Sequence, residues 1–247
     1  MAAPKNPLRS IFSSPKGVTW LLTGDSITHG AVYTFGWRSY PEHFMERLRW
    51  ELRRMADTVV NTGTSGDTTD GLLRDLKGRV LRFRPDVTSI MMGMNDCVAG
   101  RAGIEAFRRN LLNLADASEN NSSLLLLHTP NPIRPGADIE RTHLPHYADI
   151  IREVAARRKL MLVDHYDHWI TQNRKHPGAF RRWLDSDGIH PSAQGQLQLA
   201  RLFFVRLGIF DPASPTCKLC ITDPATRGVH PRKRLLKTAN FPGSSPR

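Results

Sequence analysis

The chain has 247 residues, of which 40% are hydrophobic and 23% charged, and it carries a formal net charge of +12. This length and composition predict one α/β domain that buries roughly 70 to 75% of its unfolded surface, and they exclude a wholly disordered chain. The apolar runs fall well short of the ~18 residues that span a bilayer, which excludes a transmembrane helix as well.

The beginning of the chain does not resemble a secretion signal. Residues 1–17 contain three prolines and several polar residues, and they lack the continuous apolar core of a signal peptide. We therefore interpret residues 1–17 as an N-terminal extension and expect the protein to be cytoplasmic.

Short apolar runs of strand length then alternate with segments of helical periodicity. The runs that predict strands are residues 18–23, 58–61, 86–92, 123–127 and 160–163. The segments that predict helices carry apolar residues three or four positions apart, namely Phe44, Leu48, Leu52 and Met55; Leu72, Leu76, Val80 and Phe83; Ile104, Phe107, Leu111 and Leu114; Tyr147, Ile151 and Val154. A last helix is predicted from the N-cap Ser192 to Leu207, ending at Gly208.

This alternation predicts an α/β fold with a five-stranded parallel sheet. Parallel strands need long crossover connections, and such a sheet is covered by helices on both faces. Ligands of open α/β sheets bind beyond the carboxyl ends of the strands. The residues that directly follow the predicted strands are therefore expected to form the functional site, together with the long Pro-rich connection 129–144.

Four short motifs carry the chemistry. They are Gly24-Asp25-Ser26-Ile27-Thr28, Asn61-Thr62-Gly63-Thr64-Ser65-Gly66-Asp67, Gly93-Met94-Asn95-Asp96 and Asp187-Gly188-Ile189-His190. One of them alone would arise often by chance, but all four in this order are a strong signal. Together they resemble the SGNH, or GDSL-type, hydrolase family, and the resemblance extends from residue 18 to about residue 207.

The resemblance implies a flavodoxin-like three-layer α/β/α fold, and it assigns roles to five residues. Ser26 would be the nucleophile, His190 the general base and Asp187 the carboxylate that orients the base. The backbone N–H groups of Ser26 and Gly66 and the side-chain amide of Asn95 would form an oxyanion hole. We expect no cofactor and no metal.

These residue types suit the cleavage of an ester. A serine hydroxyl needs a base within hydrogen-bond reach, and the base needs an acceptor on its other nitrogen. His190 and Asp187, three residues apart before the last helix, can supply both. Gly66 permits a positive φ, and Asn95 offers N–H donors where an aspartate would offer only acceptors.

Three polar residues in or next to the motifs are not assigned a role in the reaction itself. Asp25 and Asp96 each adjoin a residue with an assigned role, and we interpret both as anchors of the neighbouring backbone. His29 either lines the pocket or, as we favour, forms a hydrogen bond near its entrance.

Other patterns suggest a metal only weakly. The three cysteines of the chain do not make a disulfide framework. Cys217 and Cys220 have the spacing of a metal knuckle, and His230 could be a third ligand, but a structural zinc needs four. The polar run 164–168 is better explained by helix capping. Cys97 is interpreted as a small packing residue, and no metal site is predicted.

The composition changes after Phe210. Residues 211–247 contain six prolines and seven Lys or Arg against two Asp, which predicts a flexible basic tail after a domain at residues 18–210. Binding of a polyanion by this tail is a minor alternative. Much of the remaining positive charge lies on predicted solvated helix faces, so no obligatory nucleic-acid partner is expected.

The sequence thus predicts a serine esterase that forms an acyl-enzyme. Small or medium acyl esters, such as acetylated carbohydrates, are the expected substrates, and a lysophospholipase or thioesterase acting on long acyl chains is the alternative. Transfer of the acyl group to an acceptor other than water stays open. A binding protein without activity is the hypothesis of another class, but such a protein would be expected to have lost one of the five residues.

Overall fold

The computed structural model of the chain describes residues 8–30 and 33–220. Its centre is a sheet of five strands, in which every neighbouring pair is parallel. The strands are Thr19–Gly24 (β1), Thr58–Asn61 (β2), Val87–Met91 (β3), Leu124–Thr129 (β4) and Met161–Asp164 (β5). Each coincides with a predicted apolar run, so the strand predictions are confirmed.

Helices cover both faces of this sheet. They are Leu8–Ser13 (α1), Ser26–His29 (α2), Tyr40–Glu46 (α3), Thr69–Arg74 (α4), Leu76–Arg79 (α5), Ile104–Asn120 (α6), Leu144–Arg157 (α7), His165–Lys175 (α8), Ala179–Trp183 (α9), Ala193–Leu207 (α10) and Pro215–Lys218 (α11). On one face α3 packs against α10, whereas α6 and α7 pack together on the other and both contact β4. The predicted three-layer α/β/α architecture is confirmed.

The strand order places three of the four motifs side by side. The order β2-β1-β3-β4-β5 is that of flavodoxin-like sheets, in which the ligand crevice opens where the order reverses. Leu22 pairs with Asn61 on one side of β1, and Gly24 pairs with Met91 on the other. The carboxyl ends of β1, β2 and β3 therefore adjoin one another at the reversal.

A continuous apolar core holds this edge in place. All five residues of β3 are buried, because helices cover the strand from both sides. Beneath α3 and α10, Trp20 contacts Phe44 edge to face with ring centroids 5.2 Å apart, and Phe44 packs against Phe203 at 4.9 Å. No helix in the described ranges is long and apolar enough to cross a membrane.

Two predicted helices have different bounds in the structure. α3 passes into a π-helical turn, Arg47–Glu51, and the chain has left the helix before Met55, whose side chain is 53% exposed. The second predicted helix is divided into α4, α5 and a 3₁₀ turn at Leu81–Phe83. Gly71 and Gly78 lie in these pieces, and glycine lowers helix stability by about 1 kcal/mol relative to alanine.

The last helix, which directly follows the fourth motif, begins and ends as predicted. The Ser192 side chain caps α10 by accepting a hydrogen bond from the Gly195 amide at 3.2 Å. Gly208 ends the helix with φ +75°, in the left-handed region that glycine adopts readily. This fixed start holds the chain just before it, where His190 lies.

Residues near both predicted domain boundaries pack on the domain. Phe12 of α1 stacks on Trp20 with a centroid distance of 5.6 Å, and Thr216 of α11 donates two hydrogen bonds of 2.6 Å to Glu51 Oε1. The boundaries at residues 17 and 210 stay predictions. Residues 221–247, which include His230 and most of the predicted tail, lie outside the described ranges. The possible binding of a polyanion by this tail stays a prediction.

Candidate active site

The predicted nucleophile, Ser26, lies at the turn from β1 into α2. Asp25 caps this helix, because its Oδ1 accepts a hydrogen bond from the Ile27 amide at 2.9 Å. Gly30 ends the helix after one turn with φ +74°. Strand, cap and short helix together place the Ser26 side chain, which is 5% exposed, at the carboxyl edge of the sheet.

The fourth motif returns to this hydroxyl from a distant part of the sequence. His190 Nε2 lies 2.8 Å from Ser26 Oγ, and His190 Nδ1 lies 2.5 Å from Asp187 Oδ2. The order of groups is therefore hydroxyl, imidazole and carboxylate, as an activated serine requires.

Asp187 is held as an anion. Its Oδ1 accepts hydrogen bonds from the backbone N–H groups of Ile189 at 2.8 Å and His190 at 3.0 Å. Burial raises the pKa of Asp187, but the hydrogen bonds from His190 and Ile189 outweigh this effect and bring the pKa to about 2. The carboxylate therefore remains a hydrogen-bond acceptor for His190 Nδ1–H at neutral pH.

The other two motifs lie beside Ser26, in the loops after β2 and β3. The Thr64 amide donates a 2.9 Å hydrogen bond to the Gly24 carbonyl, which joins the loop after β2 to the end of β1. Gly66 has φ +81°, a conformation that glycine permits, and a Cβ at this position would meet no protein atom within 4 Å. Asn95 Nδ2 donates to the Asp67 carbonyl at 2.9 Å and so ties the two loops together.

Asp25 is an anchor of backbone, as predicted, and it is also deeply buried. Its Oδ2 has no hydrogen-bond partner among the described residues, and the side chain is fully buried. Burial raises the pKa of Asp25 to about 7, although the hydrogen bond from Ile27 opposes the shift. Burial thus disfavours the charged form of this carboxyl group, whose observed contact is the cap bond to the Ile27 amide.

Asp96, the neighbour of Asn95, accepts hydrogen bonds from its own loop and from the start of α4. Its Oδ1 accepts from the Thr69 amide at 2.9 Å and from the Thr69 hydroxyl at 2.6 Å, and its Oδ2 accepts from the Gly93 amide at 3.1 Å. Burial raises the pKa of Asp96, and these hydrogen bonds limit the rise. These hydrogen bonds brace the loop that carries Asn95 against α4.

Two further residues, which no sequence motif marks, contact the site. The ring of Tyr33 stacks on the imidazole of His190, and the guanidinium of Arg141 donates to Asn95 Oδ1 at 3.1 Å. Tyr33 lies in an irregular segment after α2, and Arg141 lies in the predicted loop 129–144. Neither stands in a motif or a periodic pattern, so only the general expectation that this loop is functional pointed toward Arg141.

The weaker candidates have structural explanations. His29 Nδ1 lies 3.0 Å from the exposed Ser65 hydroxyl, which agrees with the interpretation we favoured. Cys97 is fully buried, and burial raises the pKa of its thiol to about 12. Asp164 caps α8 by accepting from the Asp167 amide at 3.2 Å, as predicted. Within the described ranges, no cluster of three or more His, Cys, Asp or Glu side chains could hold a metal.

A cavity of about 740 Å³ lies away from these groups. Its lining includes Phe12, Arg53, Asp57 and Phe210, and Asp57 binds the amide of Val18 just before β1. The cavity is therefore at the amino-end edge of the sheet, opposite Ser26, and its lining includes none of the residues with an assigned role.

Comparison with known proteins identifies the family. Residues 22–197 match the model of the GDSL-like lipase/acylhydrolase family, and this range includes all four motifs. The chain belongs to the GDSL-like lipase/acylhydrolase family. It is thus an enzyme of an ester-hydrolysing family, and the resemblance found in the sequence is confirmed.

Esterases are among the relatives of this GDSL-like chain. Esterase TesA of Pseudomonas aeruginosa is 27% identical over 184 residues, which cover 73% of this chain and 83% of TesA. The acetylxylan esterase of Geobacillus stearothermophilus is 27% identical over 215 residues, which cover 78% of this chain and 94% of that enzyme. A match to an uncharacterized protein of Mycoplasma pneumoniae, 32% identical over 117 residues, covers 46% of this chain and only 12% of that protein.

Solved structures place this GDSL-like chain in the same fold. The structure of the acetylxylan esterase Axe2 from Geobacillus stearothermophilus superposes with a TM-score of 0.66 at 24% identity, over 78% of this chain and 95% of Axe2. At this identity the likeness concerns the fold alone, and it agrees with the three-layer α/β/α architecture described above.

Proposed function

We propose that this GDSL-like enzyme hydrolyses carboxylic esters through an acyl-enzyme at Ser26. The observation that carries the proposal is the unbroken hydrogen-bond chain from Ser26 Oγ through the His190 ring to the Asp187 carboxylate, with steps of 2.8 and 2.5 Å. In this proposal Ser26 is the nucleophile, His190 the general acid and base, and Asp187 the group that selects the tautomer of His190.

The reaction follows from the positions of these groups. Ser26 Oγ attacks the ester carbonyl while its proton passes to His190 Nε2, and a tetrahedral intermediate forms. His190 then returns the proton to the leaving alcohol as the carbon–oxygen bond of the ester breaks. Water attacks the acyl-enzyme with His190 as the base, which releases the carboxylic acid and restores the Ser26 hydroxyl.

In acylation and in deacylation, the activation barrier depends mainly on the negative charge that develops on the carbonyl oxygen. The proposed donors to this oxygen are the backbone N–H groups of Ser26 and Gly66 and one N–H of the Asn95 side chain. Such donors act before the charge has formed and need no reorganisation, which is why they often supply the largest catalytic effect. The second N–H of Asn95 is already committed to the Asp67 carbonyl.

We further propose that the substrates are esters of small or medium acyl groups, such as acetylated carbohydrates. The relative named acetylxylan esterase supports this proposal, since it aligns over 94% of its own length. The relative named Esterase TesA supports ester hydrolysis in general. Long-chain acyl hydrolysis is the competing proposal. The experiment on substrate class described below also addresses the alcohol part of the substrate and transfer of the acyl group to an acceptor other than water.

The first experiment tests the nucleophile. The purified chain is assayed with p-nitrophenyl acetate, and Ser26→Ala should abolish turnover, whereas Ser14→Ala should retain it. Ser14 is a matched control because its hydroxyl lies before β1, at the opposite edge of the sheet, where it accepts from the Lys16 amide. Turnover by Ser26→Ala at the wild-type rate would refute the proposal.

The second experiment tests the substrate class. Initial rates are measured on p-nitrophenyl esters with acyl chains of two to sixteen carbons, and on acetylated xylo-oligosaccharides with acetate release as the readout. The proposal expects the highest kcat/KM at two to four carbons and measurable release of acetate. A maximum at twelve carbons or more would support the long-chain alternative instead. Addition of a competing alcohol, followed by product analysis, separates hydrolysis from transfer.

A further inference from the structure

The side-chain amide of Asn95 is held from both ends. Its Nδ2 donates to the Asp67 carbonyl at 2.9 Å, and its Oδ1 accepts from Arg141 Nη2 at 3.1 Å. Rotation of the amide by half a turn would exchange its oxygen and nitrogen, and both hydrogen bonds would be lost. The two contacts therefore select the orientation in which one N–H of Asn95 is left for the substrate.

Other contacts fix the position of the Arg141 side chain. Its Nε donates to the Met94 carbonyl at 3.1 Å, and its Nη1 forms a salt bridge with Asp138. The Arg141 and Asp138 side chains are only 18% and 19% exposed. A guanidinium presents its donors in a rigid planar fork, so these contacts determine the position of the Nη2 that binds Asn95.

The contact also changes the donor strength of Asn95. A hydrogen bond from a charged donor is stronger than one between neutral groups, and bonds in series polarise one another. A guanidinium on Oδ1 draws electron density from the amide and strengthens the remaining N–H as a donor. The benefit grows as negative charge develops on the substrate oxygen, and it is therefore largest in the transition state.

The loop that carries Arg141 is hydrogen-bonded to the segment that carries His190. The Arg134 amide donates to the Gly188 carbonyl at 2.8 Å, and Asn131 Nδ2 donates to the Ile189 carbonyl at 3.0 Å. One loop thus contacts the segment with Asp187 and His190 at one end and Asn95 at the other. Displacement of Arg141 relative to the base is restricted by these bonds.

We propose that Arg141 is a positioning residue that makes Asn95 an effective oxyanion donor. This inference rests on the proposed function, because it assigns Asn95 to the oxyanion hole. Arg141 acts through Asn95, and its effect belongs to the stabilisation of the tetrahedral intermediate rather than to the binding of the ester. A role in folding alone would instead change the fraction of active enzyme without changing the rate of each active site.

A double-mutant cycle tests the proposal. kcat and KM for p-nitrophenyl acetate are measured for wild type, Arg141→Met, Asn95→Ala and the double variant, with active sites counted by a covalent phosphonate inhibitor. We expect Arg141→Met to lower kcat about 10- to 100-fold with KM within about threefold, and to change the rate less than about threefold when Asn95 is already alanine. Arg141→Lys, which keeps the charge but not the fork, should fall between wild type and Arg141→Met.

A boronic acid and a surface variant complete the experiment. Phenylboronic acid forms a tetrahedral adduct with an active serine, and its Kd should weaken by the same factor as kcat in Arg141→Met. Arg158→Met is the matched control. Arg158 lies just before β5 and forms an ion pair at the surface with Asp116 of α6. This control should keep the wild-type kcat and Kd.

The outcomes separate this inference from the proposed function. Normal kcat per active site in Arg141→Met, or an equal loss in the presence and absence of Asn95, would overturn the role of Arg141 alone. Absence of ester turnover in wild type, or full turnover in Ser26→Ala, would overturn the proposed function itself.

Discussion

The ring of Tyr33 lies flat against the imidazole of His190. Their centroids are 3.7 Å apart, and the ring planes differ by only 9°. The stacked ring covers one face of the imidazole and restricts its rotation away from Ser26. Because the contact is made by the aromatic ring and not by the hydroxyl, the proposed function predicts different results for two substitutions of Tyr33.

Tyr33→Phe should leave kcat/KM close to the wild-type value, whereas Tyr33→Ala should lower it about 2- to 12-fold, since an aromatic pair contributes about 0.5 to 1.5 kcal/mol. The measurement is kcat/KM for p-nitrophenyl acetate at constant pH. Equal losses in both variants would mean that the hydroxyl matters, and the stacking explanation would then be wrong.

Asp187→Asn should lower kcat about 10,000-fold without unfolding the protein, because an amide at this position favours the wrong tautomer of His190. The carboxylate also accepts from the Ile189 and His190 amides, and the asparagine oxygen can keep the bonds that Oδ1 accepts. Circular dichroism and the rate of ester hydrolysis are the two readouts. A loss of rate below 10-fold would count against the assignment of Asp187.

Gly66→Ala should cost about 1 to 2 kcal/mol of stability, because φ at this position is +81° and an L residue is strained there. The added methyl group meets no protein atom within 4 Å, so the loss comes from the backbone alone in the free enzyme. The same methyl group would lie beside the proposed oxyanion donor, and kcat should fall as well.

Gly208→Ala is the control for this effect. Gly208 has a similar φ of +75° and open space around it, but it ends α10 far from the site. Both variants should lose a similar free energy of unfolding in urea, whereas only Gly66→Ala should lose kcat. A normal kcat in Gly66→Ala would remove Gly66 from the proposed oxyanion hole.

His43→Leu should raise the free energy of unfolding by about 1 kcal/mol at pH 7, since the two ring nitrogens of His43 are buried without a partner among the described residues. Burial, with a smaller effect of the Arg38 charge, lowers the pKa of His43 from 6.5 to about 4. The unfolded chain therefore binds more protons than the folded chain between these values, so the free energy of unfolding of the wild type decreases as the pH falls from about 6.5 toward 4.

The difference in free energy of unfolding between His43→Leu and wild type should consequently increase as the pH is lowered from 7 to 5. Urea unfolding at several pH values measures it, with ester hydrolysis at pH 7 as a check that the site is intact. A difference that stays constant with pH would contradict the buried, neutral state of His43.

Local patterns were sufficient to predict the strands and the positions of the principal groups. An apolar run of strand length is a property of neighbouring residues, and the five runs became β1 to β5. Because ligands of parallel sheets bind at the carboxyl ends, the expectation that Ser26, Gly66 and Asn95 lie at one edge followed from strand prediction alone. Ser192 and Gly208 predicted the ends of α10 for the same reason, since capping depends on residues within one turn.

Tertiary structure decided the contacts between residues that are distant in the sequence. The bond from Arg141 to Asn95 spans 46 positions, and although a motif marks Asn95, no local pattern marks Arg141 as its partner. The stacking of Tyr33 on His190 and the burial of His43 likewise arise only when separate segments pack together. The sequence determined which chemical groups are present and on which edge they lie, whereas their orientation depends on side-chain packing and hydrogen bonds that exist only in the folded chain.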